Sequence, residues 1–250
     1  MRLDKYLAQM GAGTRSEIKK AIRAGRVTVN GVKASDPAAH VKISGEEAQK
    51  KNGGSPAPAE EADEVCLDGV RIAYEEYVYY LMNKPAGVIC ATEDPGQRTV
   101  LDLMDGRLRK GLFPVGRLDK DTEGLLLITN DGELAHRLLS PRHHVDKVYF
   151  ARLDGPVGET ERRLFAEGLK VDEEPTAMPA QLEVSGPADE VRVTIREGKY
   201  HQIKRMFEAV GREVLYLKRL SMGPLALDES LPPGAYRRLT EQEESAIISL

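Results

Sequence analysis

Four consecutive apolar residues, Leu125-Leu126-Leu127-Ile128, stand between a glycine, Gly124, and the turn signal Asn130-Asp131-Gly132. A run so short and so apolar, closed by turn residues, reads as a strand buried in a sheet. Immediately before it the chain is polar and charged, running Gly116-Arg117-Leu118-Asp119-Lys120-Asp121-Thr122-Glu123. A charged turn that feeds a buried strand holds an acidic side chain rigidly at the edge of a sheet. Residues 113–132 are therefore expected to organise both the fold and the chemistry.

The elements around this stretch do not alternate regularly. Strand-like segments are expected at 77–82, 88–90, 147–153, 180–184, 190–196, 214–220 and 222–227. Helices are expected at 99–104, 133–139, 160–167 and 201–210, and a last one is capped by Thr240 with Glu243,. Many strands with interspersed helices, and no repeated strand–crossover–strand unit, point to an α+β fold with a largely antiparallel mixed sheet flanked by helices.

The N-terminal residues read differently. Leu3, Leu7 and Met10 have helical spacing, and 11–13 break that helix. Thr14 with Glu17 forms a capping box for a second helix, Gly25 stops it, 27–29 is a strand and Asn30-Gly31 a hairpin turn,. Arg2, Lys5, Arg15, Lys19, Lys20, Arg23, Arg26 and Lys33 are opposed in this stretch only by Asp4 and Glu17. Lys19 and Arg23, four apart, share a helix face, with Arg15 one turn earlier. The formal charge of the whole chain is −4, yet this local stripe is of the kind that neutralises phosphates. RLDKYLA, TRSEIKKAIRAGRVTVNG and the following Asp36-Pro37 resemble the S-four-type RNA-binding domain, which implies RNA binding over about the first 75 residues. Residues 42–64, KISGEEAQKKNGGSPAPAEEADE, depart from that pattern and lack the apolar periodicity to offset ordering entropy,. We expect residues 1–75 to form an RNA-binding domain with a flexible insertion at about 44–63, closed by the hairpin EVCLDGVRI, and residues 76–250 a catalytic domain.

Several chemistries find no support. Cys66 and Cys90 are isolated, without metal-ligand or disulfide-framework spacing,. Neither a glycine-rich phosphate loop nor HExxH occurs. His143 and His144 are adjacent, so on a strand they point to opposite faces. No apolar stretch is long enough to span a bilayer, and MRLDKYL is no signal peptide, so a cytoplasmic location with no membrane is expected. Candidate chemistry falls on carboxylates. Asp119 suits a nucleophile or base without a cofactor. The same residues also admit a structural Arg117–Asp119 pair, or a DxD metal site made by Asp119 and Asp121.

GRLDKDTEGLLLITNDG is similar to the signature of the pseudouridine synthases of the RsuA branch, which includes RluB, RluE and RluF. NKPAG (83–87), DKVYFARL (146–153) and REGKYHQIKRMFEAVG (196–211) resemble three further motifs in the same order. The resemblance implies a pseudouridine synthase catalytic domain in which Asp119 is the catalytic residue. It implies that Arg117 holds the target nucleotide out of the stack, Tyr149 packs on the uracil, and Lys204 pairs with the carboxylate, with Arg205 the alternative cation. In the N-terminal domain Arg2, Lys5, Arg15, Lys19, Lys20, Arg23 and Arg26 would contact RNA. The implied reaction isomerises uridine to pseudouridine with no cofactor and no metal. EGKYHQ resembles the small-subunit (16S) rRNA enzymes of the branch more than the EGRNRQ-like form of the large-subunit (23S) enzymes. The implied partner is small-subunit rRNA or an assembling small subunit, and a monomer is the expected state. Asp119 could act by adding to the ring, by attacking the sugar, or by removing a sugar proton. A 23S target, a non-catalytic ribosome-assembly role and a metal enzyme built on Asp119 and Asp121 are the competing readings.

Overall fold

The computed structural model describes residues 1–43, 62–106, 108, 111–171 and 177–250. The chain divides into two units, one taking in Met1–Glu76 and the other Tyr77–Met104 with Gly111–Leu250. In the first, α1 (Leu3–Gln9) and α2 (Arg15–Arg23) precede four short strands, β1 (Val27–Val29), β2 (Val32–Lys33), β3 (Val65–Leu67) and β4 (Val70–Arg71). The strands pair antiparallel in the order β2-β1-β3-β4. Both halves of the Thr14–Glu17 capping box form and start α2,. Asn30 and Gly31 have φ of 52° and 78°; positive φ at both turn residues matches the twist of β1 into β2. Leu3, Leu7, Ile18, Ile22, Val27 and Val65 close the core.

The insertion expected at about 44–63 lies outside the described residues except at its end, residues 62 and 63. Asp63 is tied down: its carboxylate accepts from Asn30 Nδ2 at 2.8 Å and from the Lys42 amide at 2.7 Å. These bonds, Lys42's first, hold the Asp63 carboxyl below the usual range,.

The second unit is built on one mixed sheet. Its elements are β5 (Tyr79–Lys84), β6 (Phe113–Pro114), β7 (Glu123–Thr129), α3 (Gly132–Leu139), β8 (Lys147–Leu153), α4 (Glu159–Glu167), β9 (Gln181–Val184), β10 (Glu190–Ile195), α5 (Gln202–Glu208), β11 (Val214–Met222), β12 (Leu225–Ala226), β13 (Tyr236–Arg238) and α6 (Glu241–Ile248). The strand order is β13-β5-β7-β11-β8-β10-β9, with β6 on β7 and β12 on β11. Of the strand pairs, β7 with β11 is parallel and the others are antiparallel. This is the α+β architecture expected from the order of elements.

Strand β7 is central and buried on both faces. Leu125 and Leu127 pack with Leu134 and Leu138 of α3 and Ile247 of α6. Leu126 and Ile128 alternate to the other face, and both are fully buried,. Helices α4 and α5 pack Phe165 and Phe207, 5.0 Å between ring centroids, against Ala151 and Val193 of β8 and β10. The strand register sets Lys84, Gly124, Arg219, Tyr149 and Val193 in one row across β5, β7, β11, β8 and β10. Paired residues in such a row face the same side of the sheet.

Three local expectations change. Residues 88–90 are no strand; only an isolated bridge, Ile89 with Thr99, forms there. The helix at 99–104 is a single tight turn, Val100–Leu103, capped by Thr99 and Asp102. Strand β11 runs through position 221 to Met222 without the anticipated break. Among the described residues no helix is long and apolar enough to cross a membrane.

Candidate active site

The 115–124 loop carries the acidic cluster, and its shape follows from where each side chain can go. The Val115 amide bonds to the Leu127 carbonyl at 2.8 Å, fixing the start of the loop on β7. Leu118 is buried in the core shared with α5, so Arg117 before it is turned to solvent. The Leu118 amide donates to Cys90 Sγ at 3.3 Å. Burial pushes the Cys90 thiol up, so it stays protonated and accepts that bond rather than acting as a nucleophile,. The Thr122 amide closes a turn onto the Asp119 carbonyl at 3.1 Å. Gly124 has φ of 99°, and a Cβ there would collide with the backbone of Arg219 on β11. Only glycine lets the parallel pair close at this point.

Lys84 holds the loop from beneath. It ends β5, is fully buried, and its Nζ faces the carbonyls of Pro85, Asp119, Lys120 and Thr122 at 3.1, 3.1, 3.3 and 2.7 Å. Its three N–H groups are shared among these acceptors. Burial lowers the Lys84 ammonium below the ordinary lysine value, and the nearby acidic groups only partly oppose this,. Among the described residues it has no carboxylate within ion-pair distance, so carbonyl dipoles carry its solvation. The Gly87 amide adds a bond to the Lys120 carbonyl at 2.8 Å, stitching 83–87 to 119–122. Sequence reasoning gave Lys84 no role. Its signals were its place in NKPAG and its position closing an apolar strand directly before Pro85-Ala86-Gly87.

Arg117, Asp119, Tyr149 and Lys204, expected to act together, line one pocket. They come from the loop, from β8 and from α5. Lys204 Nζ lies 3.3 Å from Asp119 Oδ2. Its shorter bonds, however, go to Asp121, at 2.7 and 2.8 Å. Burial alone would lower the Lys204 ammonium; the hydrogen bond and charge of Asp121 and the charge of Asp119 outweigh it and raise it above the ordinary value. Asp121 shows the converse. Burial opposes ionisation, but Lys204 pulls its carboxyl below the usual range. Asp121 is thus more than a turn residue: it orients the cation that faces Asp119.

His201 completes the surroundings of Asp119, and the sequence reading passed over it. Its Nε2 is 3.5 Å from Asp119 Oδ1. It precedes α5 with φ of 48°, a left-handed backbone that non-glycine residues adopt at some cost,. Arg117 has no hydrogen bond or ion pair among the described residues, so the structural Arg117–Asp119 pair is not formed. The two carboxylates of the DxD alternative share one ammonium, that of Lys204.

In the first unit, Lys5, Arg15, Lys19, Lys20 and Arg23 are exposed. Two other expected RNA-contacting residues are paired. Arg2 makes two bonds to Asp4, at 3.0 and 2.8 Å. Arg26 makes two to Asp68, one of 2.7 Å. The expectation that only Asp4 and Glu17 oppose the stripe is therefore corrected. Asp68, in the β3–β4 turn, reaches Arg26, while Glu17 is spent on the cap of α2.

Comparison with known proteins bears on this arrangement. A family model described as RNA pseudouridylate synthase matches residues 78–209, and an S4 domain model matches residues 1–47. The chain is 45% identical over 248 residues to a Bacillus subtilis (strain 168) protein named uncharacterized RNA pseudouridine synthase YtzG, covering 97% of this chain and 96% of that one. It is 40% identical over 250 residues to ribosomal small subunit pseudouridine synthase A of Escherichia coli (strain K12), covering 99% and 100%. A crystal structure of a pseudouridylate synthase is similar at 38% identity with a TM-score of 0.66, covering 99% of each chain.

Proposed function

The chain belongs to the RNA pseudouridylate synthase family, and from that premise we propose that it isomerises one uridine of small-subunit (16S) ribosomal RNA to pseudouridine, with Asp119 as the reacting carboxylate. In this reaction the bond from C1′ to N1 of the uracil breaks and a bond from C1′ to C5 forms. C5 loses its hydrogen, N1 gains one, and the composition is unchanged, so neither a redox cofactor nor an energy source is needed.

The observation that carries the reading is the convergence of Arg117, Asp119, Tyr149 and Lys204 on one pocket. The uridine must leave its stack to be attacked, and extrusion needs groups to receive it. Arg117, exposed and without a partner among the described residues, suits the strand left behind or the phosphate of the extruded nucleotide. Tyr149, held in β8 between Arg219 and Val193, offers an aromatic surface to the uracil ring,. Lys204 places a positive charge 3.3 Å from Asp119 Oδ2, beside the group proposed to react. The carbonyl bonds of Lys84 fix the backbone of the loop before substrate arrives,.

The small-subunit assignment draws on EGKYHQ at 197–202 and on the E. coli relative's name. Residues 1–75 are read as the RNA anchor and 76–250 as the catalytic domain, working as a monomer in the cytoplasm. The reading is supported by the S4 match and by the exposed cations of α2. Mapping pseudouridine across rRNA from cells with and without this protein tests it. One small-subunit uridine is expected to lose its modification and to regain it with the wild-type chain but not with Asp119→Asn. Restoration by Asp119→Asn would overturn the role of Asp119, and a lost site in large-subunit rRNA would overturn the substrate.

A further inference from the structure

Tyr200 stands apart from the rest of the site's aromatic surface. It is 69% exposed, although it immediately precedes a residue that touches Asp119. Its ring is stacked on that of His201, with centroids 3.8 Å apart and planes 18° from parallel. His201 lines the pocket and reaches Asp119 Oδ1 through Nε2. Tyr200 is therefore not an aromatic stranded on a remote surface. It is the outer layer of a two-ring stack whose inner layer borders the reacting carboxylate. The backbone holds the stack in place: His201 is in the left-handed region, and the Tyr200 carbonyl accepts from Arg205 Nη1 at 3.3 Å.

When one nucleotide is drawn out of an RNA strand, the base beside it loses a stacking partner. An exposed aromatic ring stacked on a pocket-lining residue can replace that partner whatever the base, because every base has a π face,. We infer that the Tyr200–His201 stack is a platform for the base adjacent to the extruded uridine, with Tyr200 the contacting ring. Tyr200 is thus a positioning residue: it sets how the strand enters, while His201 keeps the platform in register with Asp119. This subsite rests on the proposed reaction, since it presumes an extruded uridine.

The test uses the full chain and two nine-nucleotide RNAs with a central uridine. In one the two flanking nucleotides are adenosines; in the other they are abasic. Wild type is expected to bind the adenosine-flanked RNA roughly tenfold more tightly than the abasic one, within the range for one base–aromatic stack. Tyr200→Ala should bind both equally, and Tyr200→Phe should keep the preference, because the ring and not the hydroxyl makes the contact. A Tyr200→Ala protein with undiminished preference, or a wild type with none, overturns the platform. Pseudouridine formation on 16S rRNA by the same wild-type preparation is read separately. Preference without product overturns the reaction and leaves a base-binding subsite; product without preference overturns the subsite alone.

Discussion

The Nζ of Lys84 donates to the backbone carbonyl of Asp119 at 3.1 Å, across 35 residues of sequence. A buried cation thus grips the main chain of the acidic residue while a second cation, Lys204, faces its side chain. The two lysines divide the work: one sets where Asp119 is, the other the field it sits in.

Replacing Lys84 tests the first role. Lys84→Met takes the donor from the Pro85 and Thr122 carbonyls, while those of Asp119 and Lys120 keep the amides of Thr122 and Gly87; each unsatisfied buried group costs about 1–3 kcal/mol. The variant is expected to unfold at lower denaturant concentration. Assayed well below its unfolding midpoint, it should lose at least roughly tenfold in kcat with little change in RNA affinity, since a misplaced reacting group is costly even when binding persists. Lys84→Arg should not rescue it, because the larger guanidinium does not fit a fully buried site shaped for an ammonium,. Wild-type kcat in Lys84→Met would remove Lys84 from the site's design.

Lys204 and Asp121 separate by kinetics. Lys204→Met should reduce kcat at least about tenfold, as the cation next to the carboxylate proposed to react is lost,. Asp121→Asn should have a milder effect, because Asp121 is 71% exposed at its side chain and Lys204 can then move fully to Asp119. Lys204 is held above the ordinary lysine value, so its charge causes no loss of rate below about pH 10,. Equal losses in the two variants would make Asp121 a partner in the chemistry.

Lys147 makes stability depend on pH at the alkaline end. It is buried in β8, its Nζ bonds to the Val145 carbonyl at 3.1 Å, and burial pushes it down to about 8, aided by the charge of Arg219 and opposed by Asp146. The unfolded chain keeps this lysine protonated to about pH 10.4. Between these values the unfolded state binds the extra proton, so this group makes the fold more stable as pH rises from about 8 to 10. Lys147→Met removes that dependence. Urea unfolding of both proteins from pH 7 to 10 should show the variant's relative stability greatest at pH 7 and declining above pH 8. A difference that stays constant over that range would contradict the assignment.

The basic helix makes a prediction about salt. Lys19→Glu and Arg23→Glu should each weaken binding to rRNA and flatten its dependence on salt concentration, by about one phosphate contact apiece. Arg26→Glu should do less to the salt dependence, because Arg26 is already engaged by Asp68. Fluorescence anisotropy across a salt series measures all three. Unchanged slopes for Lys19→Glu and Arg23→Glu would mean that α2 is not an RNA anchor.

How much of this was legible depended on how far apart the partners lie. The sequence by itself determined the short-range features. These include the caps Thr14–Glu17 and Thr240–Glu243, the Asn30-Gly31 turn, the alternation of 147–153 and the buried run of β7. Each is settled by residues within a few positions, through period, capping or turn geometry. The α+β class followed from their order, and the motif resemblance nominated Asp119 and the residues expected around it. Only the tertiary structure decided the rest. Strand β13 has no apolar pattern and exists by pairing with β5. Residues 88–90, with no long neighbour to pair along, make a single bridge. Lys84 is fully buried because four carbonyls meet around its ammonium. Asp68 claims Arg26 from 42 residues away, and Lys204 prefers Asp121 from 83 residues away. Hydrogen bonds and ion pairs act over a few ångströms, so local sequence rules carry no information about partners that only folding brings within reach.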